Sequence, residues 1–279
     1  MPTTYIRNAG TWPKLKKAFI KNGGNWSEIK TIWVRDSGVW NKYFVNLVTV
    51  NVTAQNNVNL KTLYTNQTGE IPSSGVSVLF NINGNIGSTS TGTPSLITDT
   101  WPSGTELTIN VGSGVYIAGA GGVISSAGAR NGGNGGTAIS LSYNTTIINN
   151  GVIGGGGGAG GGVNVSTSYG TLLSNGGNGA GLTAGSGATL TAGGAAGGVV
   201  ETNACSSGFC SCWFRGYAGA GGGLGANGVA GTARSAGNMC NTDVFFAAGG
   251  TAGTAGKAIA LNGNTATRSG SGQTLGNVV

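Results

Sequence analysis

Residues 216–231 read GYAGAGGGLGANGVAG, and a glycine stands at every third position of this stretch. An α-helix repeats every 3.6 residues and a β-strand every two, so a period of three belongs to neither. The polyproline II helix has three residues per turn and rises ~3.1 Å per residue, which makes this stretch roughly 50 Å long. The period therefore predicts one straight outer glycine helix over Gly216–Gly231.

Other glycine tracts supply the hydrogen-bond partners that such a helix needs. A polyproline II helix makes no internal hydrogen bonds, whereas ordered backbone polar groups require partners. Gly151–Gly162 reads GVIGGGGGAGGG, with glycine on nearly every face, which predicts a central helix surrounded by others. A flexible glycine-rich linker is the alternative. Linkers lack a strict three-residue spacing and interleaved Ile, Leu and Val residues, so we expect a polyglycine or polyproline II helix bundle.

The composition argues against catalysis. Only 8% of the residues are charged and histidine is absent, which removes histidine-based acid–base chemistry and histidine-ligated zinc. The seven carboxylates are scattered singly, so no paired carboxylates are visible. We expect no enzyme, with no catalytic residue, metal, cofactor or small-molecule substrate. The opening MPTTYIRNAG lacks an apolar segment, and we expect neither a signal peptide nor a membrane span.

Residues 5–44 contain a fourteen-residue repeat that carries most of the net charge of +7. The copies YIRNAGTWPKLKKA, FIKNGGNWSEIKTI and WVRDSGVWNKYF align without a gap, and Asn or Asp followed by glycine predicts three β-hairpins. The regular spacing of the tryptophans argues against a nucleic-acid partner. Either the hairpins pack around their tryptophans as a mini-domain, or they attach to the end of a homotrimer. The candidate attachment residues are Tyr5, Trp12, Phe19, Trp26, Trp33 and Trp40.

Three domains follow from the changes in pattern along the chain. Residues 1–44 form the repeat module, and residues 45–112 alternate apolar and polar residues, as expected for a small β domain. Within that domain, the sequence NLKTLYTN predicts a short helix. Residues 113–279 form the glycine-rich domain. The fold class is therefore mostly irregular and β, with little helix.

Three segments between the glycine tracts carry bulky side chains, namely Val163–Asn175, Val199–Arg215 and Thr232–Ala248. If the tracts are rods, these segments are loops at the rod ends, and Val199–Arg215 and Thr232–Ala248 lie at opposite ends of the 216–231 rod. Their aromatic residues either cover the bundle ends or form a recognition surface, for which Trp, Tyr and Arg are the favoured residues. The candidate receptor-binding residues are Tyr169, Phe209, Trp213, Phe214, Arg215, Tyr217, Phe245 and Phe246.

The four cysteines are Cys205, Cys210, Cys212 and Cys240. Their spacing is not that of a zinc site, and disulfides are expected, with three possible connectivities. A straight 216–231 helix would carry Cys240 about 50 Å from the other three cysteines. Cys240 could then reach them only if one of the loops folded back along the bundle.

The stretch IINNGVIGGGGGAGGG, followed by loop-separated GxxG tracts, resembles the glycine-rich tail-fibre-tip adhesins of T-even-like phages. The resemblance covers roughly residues 115–262. It implies a layered sandwich of glycine helices, with distal loops that bind an outer-membrane protein and a small tryptophan-containing segment that caps a trimeric fibre. The β segment 45–112 departs from the pattern of that family.

Together, the residues and the resemblance predict an adhesin at the distal tip of a tail fibre in the virion. Its expected partners are a trimeric phage tail-fibre protein and a bacterial outer-membrane protein or surface glycan. An ice-binding glycine-helix protein is one alternative, because some antifreeze proteins are glycine helix bundles. A purely structural fibre segment is the other.

Overall fold

The structure is a computed structural model that describes residues 18–29, 31–45, 47–124, 131–167, 170–182, 185, 187–203, 212–237 and 246–279. Strands dominate the regular structure of these residues, and one helix occurs among them. The predicted β-rich fold with very little helix is confirmed.

Two of the three repeat units form antiparallel strand pairs. These are β1 (Ala18–Asn22) with β2 (Asn25–Ile29), and β3 (Thr31–Asp36) with β4 (Val39–Val45). Each pair turns through two residues of positive φ, Gly23–Gly24 in the first and Ser37–Gly38 in the second. Such turns match the twist of the flanking strands. Most of the first repeat unit lies outside the described residues.

Three parallel sheets form the body that follows. The first contains β5 (Leu47–Val52), β8 (Ser77–Ile82), β11 (Glu106–Val111), β14 (Thr145–Asn149) and β23 (Ala266–Ser269). The second contains β6 (Gln55–Asn56), β9 (Ile86–Gly87), β12 (Tyr116–Ala118), β15 (Val152–Gly154) and β24 (Gln273–Leu275). The third contains β7 (Val58–Asn59), β10 (Leu96–Ile97), β13 (Ile139–Ser140) and β22 (Ile259–Ala260). The chain visits the sheets in rotation, so successive turns stack as a three-faced parallel β-solenoid.

Apolar residues in register hold the turns of the solenoid together. Val50, Phe80, Ile109 and Ile147 occupy one row across the first sheet, and all four are fully buried. A buried side chain of this size contributes about 1.5–3 kcal/mol. Because alternate strand residues face opposite sides, each such row requires the in–out alternation that the sequence shows over 47–111. The solenoid is therefore the hydrophobic core of the chain.

The boundary predicted at residue 112 falls inside these sheets. Strand β11, from the predicted β domain, pairs with β14, from the predicted glycine-rich domain, and β14 pairs in turn with β23. The boundary was placed where the glycine-rich composition begins. The hydrogen-bonded strand pairs nevertheless continue across residue 112. Residues 47–112 and the last residues of the chain thus share one solenoid.

A helix covers one end of the solenoid. It is α1 (Leu60–Thr68), which confirms the helix predicted from NLKTLYTN, and its N-cap Asn59 accepts the N–H of Thr62 at 3.0 Å. Gln67 donates its side-chain N–H to the carbonyl of Asn51 in the edge strand β5, at 2.8 Å. Leu60 and Tyr64 are buried. The helix therefore lies against the open edge of the first turn.

The last turn leaves the other end of the solenoid polar. Arg268 in β23 stands opposite Ile147 in the register and is exposed, whereas the equivalent positions of earlier turns are apolar and buried. A cavity of about 140 Å³ lies between the last two turns, lined by Ile147, Ile153, Arg268 and Thr274, among others. A charged side chain at the end of a sheet discourages pairing with another chain.

Two long insertions leave the solenoid and contain the glycine tracts. Residues 119–138 join β12 to β13, and residues 155–258 join β15 to β22. The tracts continue the ladder of the second sheet, because the N–H of Gly119 donates to Gly154 at 2.9 Å and that of Gly155 to Leu275 at 3.0 Å. The solenoid therefore sets the register in which the tracts begin.

The tract at 154–162 lies in the centre of six others, as its sequence predicts. Those six are residues 119–122, 133–136, 177–180, 219–225, 226–229 and 250–256. Every third residue bonds to the same neighbour: the N–H groups of Gly156 and Ala159 donate to the carbonyls of Gly136 and Gly133, at 2.8 and 2.9 Å. A period of three therefore distributes the donors and acceptors of one tract around its whole circumference.

The stretch 216–231 does not form one straight helix, and that prediction is wrong. The chain reverses at Leu224 and Gly225, where Gly225 has a φ of 68° and the N–H of Ala226 donates to Gly223 at 3.0 Å. The two arms are joined by the N–H of Val229, which donates to Ala220 at 2.8 Å. Because a glycine of the repeat takes the left-handed conformation itself, the turn leaves the period of three unbroken.

Asparagine side chains complete the hydrogen bonding at the outside of the bundle. The side-chain oxygen of Asn134 accepts the N–H of Thr254 at 2.9 Å, and the N–H of Gly135 donates to the Thr254 carbonyl at 2.8 Å. Asn131 and Gly132 hold Thr251 in the same way, at 3.1 and 2.8 Å. Each Asn-Gly pair thus satisfies both backbone groups of one residue in the neighbouring tract.

We expect Gly156→Ala to prevent folding, at a cost above about 4 kcal/mol. A Cβ at Gly156 would overlap the carbonyl oxygen of Ala120, which is backbone and cannot move aside. Gly198→Ala is the matched control, because a Cβ there meets no atom within 4 Å. The yield of folded protein and thermal unfolding measure both variants. Equal yields would contradict the packing described for the central tract.

We expect Asn134→Ala to reduce the free energy of unfolding by about 1–3 kcal/mol, because the N–H of Thr254 loses its acceptor. Asn134→Asp keeps an oxygen at the same place and should cost less. Chemical denaturation of the two variants beside the unchanged protein measures the difference. A larger loss for Asn134→Asp than for Asn134→Ala would show that the side-chain oxygen is not what matters.

Candidate functional site

Six strands form two small antiparallel sheets beyond the glycine tracts. One sheet has the order β17-β16-β21, with β16 (Val163–Thr167), β17 (Gly170–Ser174) and β21 (Phe246–Gly249). The other has the order β18-β19-β20, with β18 (Val200–Asn203), β19 (Cys212–Tyr217) and β20 (Thr232–Gly237). Strands of the two sheets contact each other, notably β20 with β21 and β16 with β19. We call these six strands the tip.

The tip rests on the tract ends that lie away from the solenoid. The N–H of Gly231 donates to Gly250 at 3.0 Å, and that of Gly250 donates to Gly162 at 2.8 Å. At the other end of the same tracts, Gly225 and Gly256 bond to Gly155 and Gly156, next to the solenoid. The tracts therefore separate the tip from the solenoid.

All three predicted loop segments belong to this one end. The strands on both sides of each segment leave the ends of the same tracts. The connecting residues 168–169, 204–211 and 238–245 lie outside the described residues. The interpretation that Val199–Arg215 and Thr232–Ala248 lie at opposite ends is wrong, since the turn at Leu224 and Gly225 returns the chain and β19 pairs with β20.

The two tracts that flank residues 125–130 also end beside the tip, and residues 125–130 themselves lie outside the described residues. Residues 125–130 connect the tract that ends at Ile124 to the tract that begins at Asn131, and Asn131 bonds to Thr251, beside the tip. Residues 125–130 contain no aromatic residue, so the sequence does not mark them as a candidate recognition segment.

Arg215 forms the best-defined polar cluster of the tip. It makes an ion pair with Glu201, which lies directly opposite on β18, and its guanidinium donates to the Tyr217 hydroxyl at 3.4 Å. The hydrogen bond to Tyr217 and the hydrogen bond and ion pair with Glu201 raise the pKa of Arg215 above its usual value. Arg215 is therefore a fixed positive charge. Glu201 was not among the candidates, although a carboxylate opposite an arginine is a favourable cross-strand pair.

The structure describes the backbone of only some of the other candidate receptor-binding residues of the tip. Trp213 and Phe214 are neighbours in β19, and Phe246 begins β21. Tyr169, Phe209 and Phe245 lie outside the described residues. The four aromatic or charged candidates on β19 thus follow one another along a single central strand.

The strands that flank the cysteine-bearing segments lie side by side in one sheet. Cys212 pairs across the sheet with Gly237, only three residues before Cys240. The 50 Å separation inferred for Cys240 depended on a straight 216–231 helix and does not hold. Cys205, Cys210 and Cys240 themselves lie outside the described residues, so their pairing stays a prediction.

The described tryptophans of the repeat module are on the surface. Trp26 is 68% exposed and Trp40 is 61% exposed, while Phe19 and Trp33 are each 52% exposed. The ammonium of Lys21 lies 5.9 Å from the centre of the Trp26 ring, within cation–π range. Within the described part, the tryptophans therefore do not form the buried core of a mini-domain. Tyr5 and Trp12 lie outside the described residues.

Neither a metal-binding cluster nor a membrane-spanning helix occurs among the described residues. No group of three His, Cys, Asp or Glu side chains there could hold a metal ion. No helix among them is long and apolar enough to cross a membrane.

Comparison with known proteins assigns the chain to a class, the phage tail-fibre adhesins. The family model of the phage tail fibre adhesin Gp38 matches residues 47–279, and the chain belongs to this family. The resemblance seen in the glycine tracts is thereby confirmed. The family favours an adhesin of the phage tail fibre over an ice-binding protein. The match begins after the repeat module and includes nearly all of the β segment 45–112, so the expectation that this segment departs from the pattern of the family is wrong.

A solved structure has a similar fold. It is the adhesin tip complex of gp37 and gp38 from the long tail fibre of bacteriophage S16, with 23% identity and a TM-score of 0.50. The similarity covers 83% of this chain and 82% of that chain. A comparison with curated protein sequences finds no match.

Proposed function

We propose that this tail-fibre adhesin binds a bacterial surface receptor through its tip and the segments 168–169, 204–211 and 238–245. The observation that supports the proposal is that the strands flanking all three segments converge at the tract ends away from the solenoid. Binding residues commonly lie in loops that a rigid scaffold positions. The receptor would be an outer-membrane protein or a surface glycan.

The glycine tracts would act as the rigid spacer between attachment and recognition. We propose that they are polyglycine II helices, which the hydrogen bonds at intervals of three residues support. At ~3.1 Å per residue, the run from Gly154 to Gly162 would hold the tip about 25 Å from the solenoid. Such a layered bundle offers few side chains for binding, which leaves recognition to the tip.

Attachment to the fibre would use the repeat module, residues 1–44. Its exposed aromatic side chains, Phe19, Trp26, Trp33 and Trp40, would be covered by a partner, and Tyr5 and Trp12 belong to the same repeat. The similar S16 structure is a complex with a second fibre protein, gp37. Three equivalent units in one chain suit the three-fold end of a trimeric tail-fibre protein. The chain would then sit at the distal tip of the fibre.

We expect loss of the tip aromatic residues to abolish adsorption to host cells without affecting particle assembly. The variants are Trp213→Ala with Phe214→Ala, and Phe245→Ala with Phe246→Ala, because aromatic residues dominate binding energy. Ile71→Ala is the control, since Ile71 is an apolar residue, 81% exposed, outside the tip. Adsorption of assembled phage to cells is measured. Undiminished adsorption by both double variants would contradict the proposed role of the tip.

We expect deletion of residues 1–44 to leave a folded adhesin that no longer joins the fibre. The family match starts at residue 47, so the deletion spares the matched fold. The full-length variant Trp26→Ala with Trp40→Ala should weaken incorporation too. Both are measured by the amount of adhesin in purified particles. Normal incorporation of the deleted chain would place attachment elsewhere.

A further inference from the structure

We propose that each repeat unit of residues 1–44 binds one chain of the trimeric tail-fibre protein through a basic side chain beside two aromatic rings, and that the fibre end offers an aspartate or glutamate to each of these basic side chains. This inference rests on the proposed attachment of the repeat module. It adds the chemistry of the partner surface, which must be acidic as well as apolar.

The first described hairpin places a cation beside aromatic rings on one face. Successive residues of a strand face opposite sides, so Phe19 and Lys21 share one face of β1. Trp26 stands directly opposite Lys21 in the register and lies on the same face. The ammonium of Lys21 is 5.9 Å from the centre of the Trp26 ring. All three side chains are exposed, so this face presents one positive charge and two rings to a partner.

The second described hairpin repeats this arrangement. Trp33 and Arg35 share one face of β3, and Trp40 stands directly opposite Arg35. These three side chains are exposed too. Arg35 donates to the carbonyl of Gly38 at 3.5 Å, and neither Arg35 nor Lys21 is in an ion pair with a described residue. Both hairpins therefore carry the same exposed face of an aromatic residue, a basic residue and a tryptophan.

The first repeat unit has the same residue types at the same places. Tyr5, Arg7 and Trp12 occupy, in the fourteen-residue repeat, the positions of the three residues on each described face. The structure of this unit lies outside the described residues. Three equivalent units in one chain match the three identical chains of a trimer, because each chain would offer the same contact.

A partner that covers the aromatic rings also removes the neighbouring cation from water. The ammonium of Lys21 lies so close to the Trp26 ring that a surface in contact with the ring also covers the ammonium. A buried charge without a partner is strongly unfavourable, so buried charged groups in proteins are paired. A fibre protein would supply the pairing group as an aspartate or glutamate side chain.

The charge distribution of the chain supports an acidic partner. Residues 1–44 contain eight basic and two acidic residues, which gives a net charge of +6, whereas the whole chain carries +7. Complementary charges raise the rate and the specificity of protein association. The positive charge is thus concentrated in the part of the chain that would meet the fibre.

The test mixes purified full-length adhesin with phage particles assembled without it, and the amount of bound adhesin is measured over a range of concentrations. We expect Lys21→Glu with Arg35→Glu to weaken binding roughly ten- to hundredfold, because like charges then face each other. Lys257→Glu with Arg268→Glu is the matched control. It makes the same change in net charge at two exposed positions outside the repeat module, and it should bind normally.

Salt dependence gives a second measurement that leaves the aromatic rings unchanged. Raising the NaCl concentration from about 0.1 M to about 0.5 M should weaken binding of the unchanged protein, because salt screens charge pairs. Lys21→Gln with Arg35→Gln removes both charges, and its binding should depend less on salt. The same salt dependence in the two proteins would contradict the inference.

Equal binding by the charge-reversed and unchanged proteins would overturn the inference, and so would equal effects of the charge reversal and its control. Thermal unfolding checks that both variants are folded. If deletion of residues 1–44 abolishes binding but charge reversal does not, the proposed attachment stands and this inference fails. If the deleted chain still binds the particles, the proposed attachment fails as well. If charge reversal instead abolishes binding to lipopolysaccharide vesicles and leaves binding to the particles unchanged, the basic faces serve the bacterial membrane and the inference is wrong.

Discussion

The backbone hydrogen bond between neighbouring glycine tracts is the interaction on which this structure depends. The tracts approach closely enough to form it because glycine stands at the contact edges, where each tract lies against the carbonyl groups of its neighbours. Gly156 shows the constraint most clearly, since a single methyl group there would overlap the carbonyl oxygen of Ala120. Glycine loses more conformational freedom on folding than any other residue. The bundle therefore forms only if nearly every backbone group inside it has a hydrogen-bond partner. At its surface, asparagine side chains accept the backbone N–H groups that no tract accepts.

Most of the hydrophobic burial comes from the solenoid, whereas the tracts contribute only a small cluster around Ala180 and Leu224. The solenoid's rows of Val, Ile and Phe supply the apolar core, and the ladder of its second sheet passes directly into the tracts at Gly119 and Gly155. The two halves of the molecule are thus stabilised by different forces but share one hydrogen-bond register. The tip in turn depends on the tracts, because its strands begin and end where the tracts stop.

The elements with a regular sequence period could be predicted, whereas the places where the chain interrupts or reverses such a period could not. The central position of the tract 154–162 and the helix at NLKTLYTN followed from local pattern, whereas Val152–Gly154 of the predicted tract form strand β15 of the solenoid. The solenoid did not follow from local pattern, because many of its strands are two residues long and its fourth turn is interrupted by residues 155–258. The reversal at Leu224 and Gly225 was hidden, because glycine takes a left-handed φ without leaving the repeat. At the tip, the aromatic residues were recognisable by type, whereas the pairing of Arg215 with Glu201 required the strand register.

The way in which the long insertion joins the solenoid bears on how host range changes. Residues 155–156 and Gly256 are direct neighbours, so the chain leaves and re-enters the solenoid at almost the same place. The segments between the glycine tracts of this insertion can lengthen, shorten or be replaced while both junctions and the tracts keep their positions. If the tip binds the receptor as proposed, recombination between related phages within the glycine-coding stretches would transfer that whole end of the molecule in one event. A lineage could thus acquire a new host while the solenoid stays unchanged.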